Sequence, residues 1–493
     1  MPETIDILVI GGGINGAGIA RDAAGRGLSV TLVEKSDLAS ATSSWSSKLI
    51  HGGLRYLEQY EFGLVREALQ EREVLLRLAP HIIRPLLFVL PHDATMRPVW
   101  MIRAGLWLYD HLGGKITLPG SKAVTFPHME FSAGLKGEFR SGFVYSDCRV
   151  DDSRLTIVNA MAAREKGATV LTRTRFERAL RVDGEWEVEI VDAHGAKRLL
   201  QAHALVNAAG PWVMDVLGRV EGEKVKGRVR LVKGSHIIVP KVHSQRHAII
   251  LQNPDKRVVF VIPYENHFSL IGTTDVAVPD VEAAARISEE ETDYLLAAAN
   301  RFLAKALTRA DVISSYAGVR PLYDDGSDNP SEITRDYVLK VDHLDHKAPL
   351  LTIFGGKITT YRRLAEQAME RLEPFFPGLK GAWTATETLP GGNVAHFNAF
   401  RDEMQAQYSK LGRELIEGIV RRHGNRTTKV LGEAKRRDDL GRFFGAGLTE
   451  REVDYLRAEE WALTAEDILW RRTKCGLHMN EGERKAVEQY LAS

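Results

Sequence analysis

The sequence predicts an α/β chain in three parts: a Rossmann-like dinucleotide-binding domain, a second domain built on an antiparallel sheet, and a C-terminal α-helical domain. Three observations predict it. The apolar run Asp6-Ile7-Leu8-Val9-Ile10 leads directly into Gly11-Gly12-Gly13-Ile14-Asn15-Gly16, a GxGxxG arrangement, and then into a helical pattern and Val30-Thr31-Leu32-Val33-Glu34. Five β-rich runs crowd residues 228 to 278. Everything beyond Leu389-Pro390-Gly391-Gly392 is charged and helical in character.

The opening unit carries the most chemistry. Gly11, Gly13 and Gly16 let the backbone turn tightly and approach a pyrophosphate, whose charge is stabilised at the N-terminus of a helix from about Gly16 to Arg26. Ile14 and Asn15 lie inside the same turn. Glu34, roughly 20 residues on, ends the second strand where a carboxylate accepts from ribose hydroxyls. Strand, glycines, helix, strand and acid in this order point to an adenine dinucleotide.

Composition bounds the rest. A chain of 493 residues is expected to hold two or three domains. Its 44% hydrophobic and 27% charged residues are ordinary for a globular protein, and a net charge of +1 creates no field that points to nucleic acid. Cys148 and Cys475 are the only cysteines, which excludes a disulfide scaffold and suggests a reducing compartment. The first strand begins so close to Met1 that no signal peptide is expected. No window approaches the roughly 20 apolar residues of a spanning helix. The expectation is a soluble or surface-bound protein without a metal site.

Further along, Ala41-Thr42-Ser43-Ser44-Trp45-Ser46-Ser47-Lys48 is too polar for a core helix, and a helix is expected over Gly63–Leu78. Residues 85–140, rich in Pro, Gly and aromatics, read as an insertion. A helix over about Asp152–Gly167 leads to three strands, near Arg173–Val182, Glu185–Val191 and Lys197–Leu200, with hairpin turns at Asp183-Gly184 and around Gly195. Ala204–Asn207 is a buried strand that runs into the small-residue turn Ala208-Ala209-Gly210, before Pro211-Trp212. It offers a second backbone approach to the dinucleotide. Strands are expected at Arg228–Leu231, Ser235–Val239, Ala248–Leu251, Val258–Pro263 and Ser269–Thr273, then an amphipathic helix over Glu289–Leu307. The chain returns with Ser314–Pro321 and with Leu350–Phe354, followed by Gly355-Gly356-Lys357 and a helix over about Ile358–Leu372. These readings give the dinucleotide domain residues 1–80, 141–215 and 315–388, the second domain 81–140 and 216–314, and the helical domain 389–493.

The blocks GGGINGAGIA (11–20), ATSSWSSKLIHGGLRYLE (41–58), YSDCRVDD (145–152), VNAAGPW (206–212), KGSHIIVP (233–240), VIPYE (261–265), IGTTD (271–275), GVRPL (318–322) and FGGKITTYR (354–362) together resemble the FAD-dependent glycerol-3-phosphate dehydrogenases of the bacterial, respiratory type, and Trp470-Arg471-Arg472-Thr473-Lys474 also fits. The blocks span nearly the whole chain. The resemblance implies a glycine/D-amino-acid oxidase-like fold and FAD as cofactor. The implied reaction oxidises sn-glycerol 3-phosphate to dihydroxyacetone phosphate, with electrons passed to membrane quinone at the inner face of the cytoplasmic membrane. A homodimer is expected.

A phosphate dianion calls for convergent cations, and Arg suits it because its fork donates two parallel hydrogen bonds. The candidates are Arg55, Arg320 and Lys357, each beside a glycine turn, with Tyr56 adding a hydroxyl. The resemblance places substrate contacts on the same four residues and on Thr273. A proton must also leave the C2 hydroxyl. His51 is the first candidate for the base because imidazole titrates near neutrality, and His236 is the second. Arg320 stabilising the alkoxide while water takes the proton is an alternative that the sequence leaves open. A helix start at Gly356-Lys357-Ile358-Thr359 would place partial positive charge against a reduced flavin. Ser43, Ser44, Ser47 and Lys48 offer groups for pyrophosphate and ribityl oxygens. His51, Phe176, Ala209, Gly210, Trp212 and Gly318 complete the expected cofactor contacts.

For the membrane, Arg97–Tyr109 mixes Trp, Tyr, aliphatic and Arg residues, a composition that suits an interfacial segment. The helix after Lys357 is another candidate contact. Competing readings are an FAD-dependent oxidase using oxygen (on glycerol 3-phosphate or on an amine or amino acid) and a non-catalytic nucleotide-binding scaffold.

Overall fold

The computed structural model describes residues 3–93, 96–126, 130–222, 227–255, 257–284, 286–324 and 336–492. Two sheets share the chain. The first has eight strands, with Thr169–Leu171, Val30–Val33, Glu3–Ile10, Lys197–Asn207 and Lys347–Phe354 running parallel in that spatial order. Ile7, Leu8, Val9 and Ile10 are all buried because helices and a hairpin layer cover both faces, which is why these strands read as unbroken apolar runs. The helix Ile14–Gly25 lies against the helices Asp152–Glu165 and Tyr361–Leu372. Its small residues permit close contact: a Cβ on Gly18 would sit 2.8 Å from the Tyr361 ring.

The second sheet has ten strands. Its long strand Val229–Pro240 pairs antiparallel with Phe268–Gly272 and Ser314–Tyr323. The sheet continues through Val258–Tyr264 and Ala248–Gln252 to Ile83–His92 and Ser141–Val150. One pairing, Ala248–Ile249 with Phe88–Val89, is parallel, so the sheet is mixed. The helix Glu289–Asn300 covers one face over a core of Ile237, Val239, Val261, Ile271 and Phe302. The C-terminal region has its own core, including Ile416, Ile419, Val420, Leu456 and Ile468, among short helices. No helix among the described residues is long and apolar enough to cross a membrane.

Several expectations shift. Strands Ser141–Val150 and Ser314–Tyr323 belong to the second sheet, not to the dinucleotide domain, so the boundaries drawn at 141 and 315 move to about 151 and 324. The runs at 197–200 and 204–207 form one eleven-residue strand that pairs with the Glu185–Val191 hairpin arm before joining the parallel sheet. The runs 228–231 and 235–239 likewise form one strand through Gly234. The helix expected to reach Leu307 ends at Asn300, whose side chain bonds both the N–H and the carbonyl of Leu307. The helix expected from Ile358 begins at Tyr361.

Candidate active site

The candidate site forms where the carboxyl ends of the parallel strands meet the second sheet. Gly11 has φ +114°, and a Cβ there would lie 2.6 Å from the Ala208 carbonyl oxygen; one on Gly16 would lie 1.9 Å from the Gly11 carbonyl oxygen. These positions accept glycine alone. Gly13 precedes the Ile14–Gly25 helix and brings no capping side chain. The Ile14 N–H instead donates to Ser43 Oγ at 2.9 Å, which draws the polar 41–48 segment over the helix start. Glu34 accepts from the Gly12 N–H at 2.7 Å and the Ser36 N–H at 2.8 Å. Burial raises its pKa against those two bonds. A carboxylate has about four acceptor sites, so capacity remains for a ribose. Asn15 Nδ2 donates to the Gly355 carbonyl at 3.1 Å, while its Oδ1 is buried with no partner among the described residues. This glycine cradle, the available acid and the orphaned Asn15 oxygen fit an FAD.

The 41–48 segment is held by groups expected to contact the cofactor. Lys48 donates to both oxygens of Asp152, at 2.9 and 3.1 Å, and to the Ser44 carbonyl at 2.7 Å. Ser44 Oγ donates to the Ala41 carbonyl, and Ser47 Oγ lies 2.9 Å from His236 Nε2. Ser44, Ser47 and Lys48, expected to offer groups to the cofactor, are buried or half-buried and already carry these internal bonds. Gly318 admits the Trp45 carbonyl, which a Cβ would approach to 2.6 Å, so its contact is with this segment. The Phe176 side chain packs in a core with Leu8, Ile190 and Leu200. Its backbone follows Thr174, whose N–H donates to the Glu34 carbonyl. Trp212, beyond the Ala209-Gly210 turn, lies under the Lys35 ammonium at 3.6 Å, next to Glu34.

The expected substrate residues approach from both sheets. Arg55 and Tyr56 lie on a 3-10 turn, Leu54–Gln59, entered through Gly53 at φ +74°. The Arg55 side chain is half-buried, with no hydrogen bond or ion pair among the described residues. Lys357 Nζ sits 4.1 Å from the Tyr56 ring centroid. The His51 N–H donates to Thr359 Oγ1 at 3.3 Å, and its imidazole meets the edge of Phe260 at 6.3 Å. Phe260 pairs with Gly272, which precedes Thr273. Arg320 pairs across the sheet with Val232, donates to Asp275, and reaches the Thr274 carbonyl at 3.3 Å. A Cβ on Gly234 would lie 2.6 Å from Thr273 Oγ1 and 3.4 Å from Arg320 Nη2, while one on Gly355 would lie 3.7 Å from the Pro321 carbonyl oxygen. Contacts of neighbouring residues thus link the segments that carry the three cations. Ile358 packs on the dinucleotide-domain core. Residues 357–360 form a turn with Thr360 N–H bonded to the Lys357 carbonyl, so the helix dipole expected at Lys357 starts one turn later.

Burial lowers the His51 pKa; Asp147 opposes that, and Lys357 reinforces it. His236, stacked on Tyr316 at 4.9 Å, is pushed down to about 3, chiefly by burial. Both imidazoles are neutral near pH 7. Phe260, Asp275 and Asp147 were missed by the sequence reading, although Asp275 and Asp147 stand inside blocks quoted for the resemblance.

Residues 6–362 match the family model for FAD dependent oxidoreductases, and residues 382–492 match the C-terminal domain of alpha-glycerophosphate oxidase. A glycerol-3-phosphate dehydrogenase of Pseudomonas aeruginosa is 53% identical over 100% of this chain and 96% of its own. A D-erythritol 1-phosphate dehydrogenase of Brucella abortus is 52% identical over 99% of this chain and 98% of its own. Among solved structures, the glycerol-3-phosphate dehydrogenase from Bacillus halodurans complexed with FAD superimposes with a TM-score of 0.75 at 28% identity, covering 99% of this chain and 94% of that one.

Proposed function

The chain belongs to the FAD-dependent oxidoreductases, and from that premise we propose that it oxidises sn-glycerol 3-phosphate to dihydroxyacetone phosphate. Bound in the glycine cradle beside Asn15 and Glu34, FAD would supply the hydride acceptor for C2. The observation that carries the reading is the neighbourhood of Arg55, Tyr56, Lys357, His51 and Arg320 beside the Asn15–Gly355 contact. Arg55, Arg320 and Lys357 grip the phosphate. Arg320 engages only Nη2 in its bonds to Asp275 and Thr274, which leaves donors of its fork for an anion. His51, neutral and close to Lys357, takes the proton from the C2 hydroxyl. His236 suits that role less, because its Nε2 is engaged with Ser47.

Electrons pass to quinone at a membrane surface, the inner face of the cytoplasmic membrane, and the working form is a homodimer. The helix Val99–Leu112 supports the membrane contact: Trp100 and Trp107 are 68% and 63% exposed, and Arg97 and Arg103 lie just before its start and along it.

The test is anaerobic bleaching of the purified holoenzyme. Glycerol 3-phosphate should reduce the flavin fully and faster than D-erythritol 1-phosphate, and amino acids should leave it yellow. Faster reduction by the tetritol phosphate would move the assignment to the Brucella relative's substrate. Rapid reoxidation by oxygen, without quinone, would make the protein an oxidase.

A further inference from the structure

Beneath His51 lies a buried polar cluster that neither phosphate binding nor cofactor binding uses. Tyr109, 1% exposed on the helix Val99–Leu112, accepts from the Gly52 N–H at 2.8 Å and donates to Asp147 Oδ2 at 2.7 Å. Asp147 Oδ1 accepts from Arg72 Nη1 at 2.8 Å and faces the same Gly52 N–H at 3.4 Å. Arg72 also donates to the Ser146 carbonyl and to Glu73, so the carboxylate is clamped on a fixed guanidinium. A Cβ on Gly52 would lie 2.7 Å from Tyr109 Oη, so this approach requires glycine.

The peptide linking His51 to Gly52 is therefore held on its N–H side by Tyr109 and Asp147. The preceding peptide is held through the His51 N–H by Thr359 in the Lys357 turn. The imidazole is suspended between two anchors, against the edge of Phe260. An apolar cluster would fill the same space at lower cost, because burying an ion pair forfeits hydration that its attraction only partly restores. A buried Asp–Arg pair within hydrogen-bonding reach of the peptide that carries the candidate base calls for another reason.

We propose that Asp147, clamped by Arg72 and Tyr109, is a positioning residue that sets the orientation of His51. The proposal rests on the reading of His51 as proton acceptor. Tyr109 makes the Trp-bearing helix one wall of the device, so the exposed face of the protein and the base of the site share one element. The charged groups around the imidazole are Asp147 from the strand Ser141–Val150, Arg72 behind it on the helix Phe62–Leu78, and Lys357 from the turn after Lys347–Phe354; Phe260 faces it from Val258–Tyr264. Asp147 opposes the drop in basicity that burial and Lys357 impose.

The experiment is anaerobic stopped-flow reduction of holoenzyme flavin by glycerol 3-phosphate across pH, in wild type, Tyr109→Phe, Asp147→Asn and His51→Asn. Tyr109→Phe and Asp147→Asn should each slow reduction about tenfold or more, since displacing a catalytic group by about 1 Å costs up to ~100-fold. Substrate affinity and FAD content should stay within about twofold of wild type. In Asp147→Asn the acid limb of the profile should also move to lower pH, because a charge that favours the protonated imidazole is gone. In Tyr109→Phe, which keeps that charge, the limb should stay in place. A purely structural cluster would alter stability or FAD content without separating rate from affinity or moving the limb. If Asp147→Asn does not fold, the rate-against-affinity split in Tyr109→Phe decides alone. Wild-type rates and profiles in both variants, with a slow His51→Asn, overturn the positioning proposal and leave the base. A wild-type rate in His51→Asn overturns the base and the device together.

Discussion

Asp37→Asn tests whether the C-terminal domain supports the dinucleotide cradle. Asp37 is 3% exposed and lies three residues beyond Glu34, in a loop whose Ala39 N–H donates to the Gly12 carbonyl. It accepts from Arg471 Nε at 2.6 Å and from both terminal nitrogens of Arg472, the Nη2 bond at 2.8 Å. Removing one member of a buried ion pair costs about 3–5 kcal/mol because the other is left uncompensated. Arg471 would keep Glu466 and Asp467, whereas Arg472 would keep only the Glu460 carbonyl in compensation. The lower end, about 3 kcal/mol, applies, and at ~1.4 kcal/mol per tenfold it raises the undocked population about a hundredfold. Native-state proteolysis of the irregular 376–396 connection reads that population when opening and closing are fast. Cleavage should accelerate about a hundredfold, and FAD affinity should fall because the Glu34 loop loses its anchor. Cleavage at the wild-type rate, with FAD affinity unchanged, would refute the idea that this ion pair couples the two parts.

Three further outcomes follow from the geometry. Gly16→Ala should yield a colourless protein, since the new methyl meets backbone oxygen at 1.9 Å and neither side can give way; absorbance of the purified chain reads this directly. Glu452, bonded to Arg422 and His423, has its pKa lowered from 4.5 to about 2 despite burial, so its stabilising charge is fully present above about pH 4.5 and is lost as pH falls toward 2. Acid unfolding followed by Trp461 and Trp470 fluorescence should begin in that window, and Glu452→Gln should be less stable at neutral pH with a flatter acid response. Replacing Trp100 and Trp107 together by Ser should weaken co-sedimentation with anionic liposomes at least about tenfold, given roughly 1.5–3 kcal/mol per large apolar side chain buried, while flavin reduction in solution is unchanged.

The sequence revealed the first sheet better than the second for a physical reason. Strands covered on both faces, such as Glu3–Ile10, become unbroken apolar runs, and Gly11 and Gly16 stand where any side chain would strike backbone. Even in that first sheet the edge strand Val338–Leu344 escaped notice, because it is half-exposed and carries Lys340, Asp342 and His343. Ser314–Tyr323 was recognised as a strand but given the wrong sheet, since alternation along a strand says nothing about its partner.

The same distinction divides the site residues. Arg55, Arg320 and Lys357 stand out in the sequence because each follows or adjoins a glycine turn, a local signal. The partners that decide what each polar group is free to do lie far away in the chain: Asp152 is 104 residues from Lys48, and Asp147 is 38 from Tyr109. Lys48 and Arg320 present the same chemistry in sequence. Lys48 is 6% exposed and triply bonded, so its charge balances Asp152 and shapes the segment over the helix start. The Arg320 side chain is 35% exposed, and both of its bonds use one nitrogen. A phosphate must be met by donors that are charged, reachable and not already satisfied from within. By that criterion Arg320 keeps donors that an anion could reach, whereas the Lys48 ammonium is already met from within.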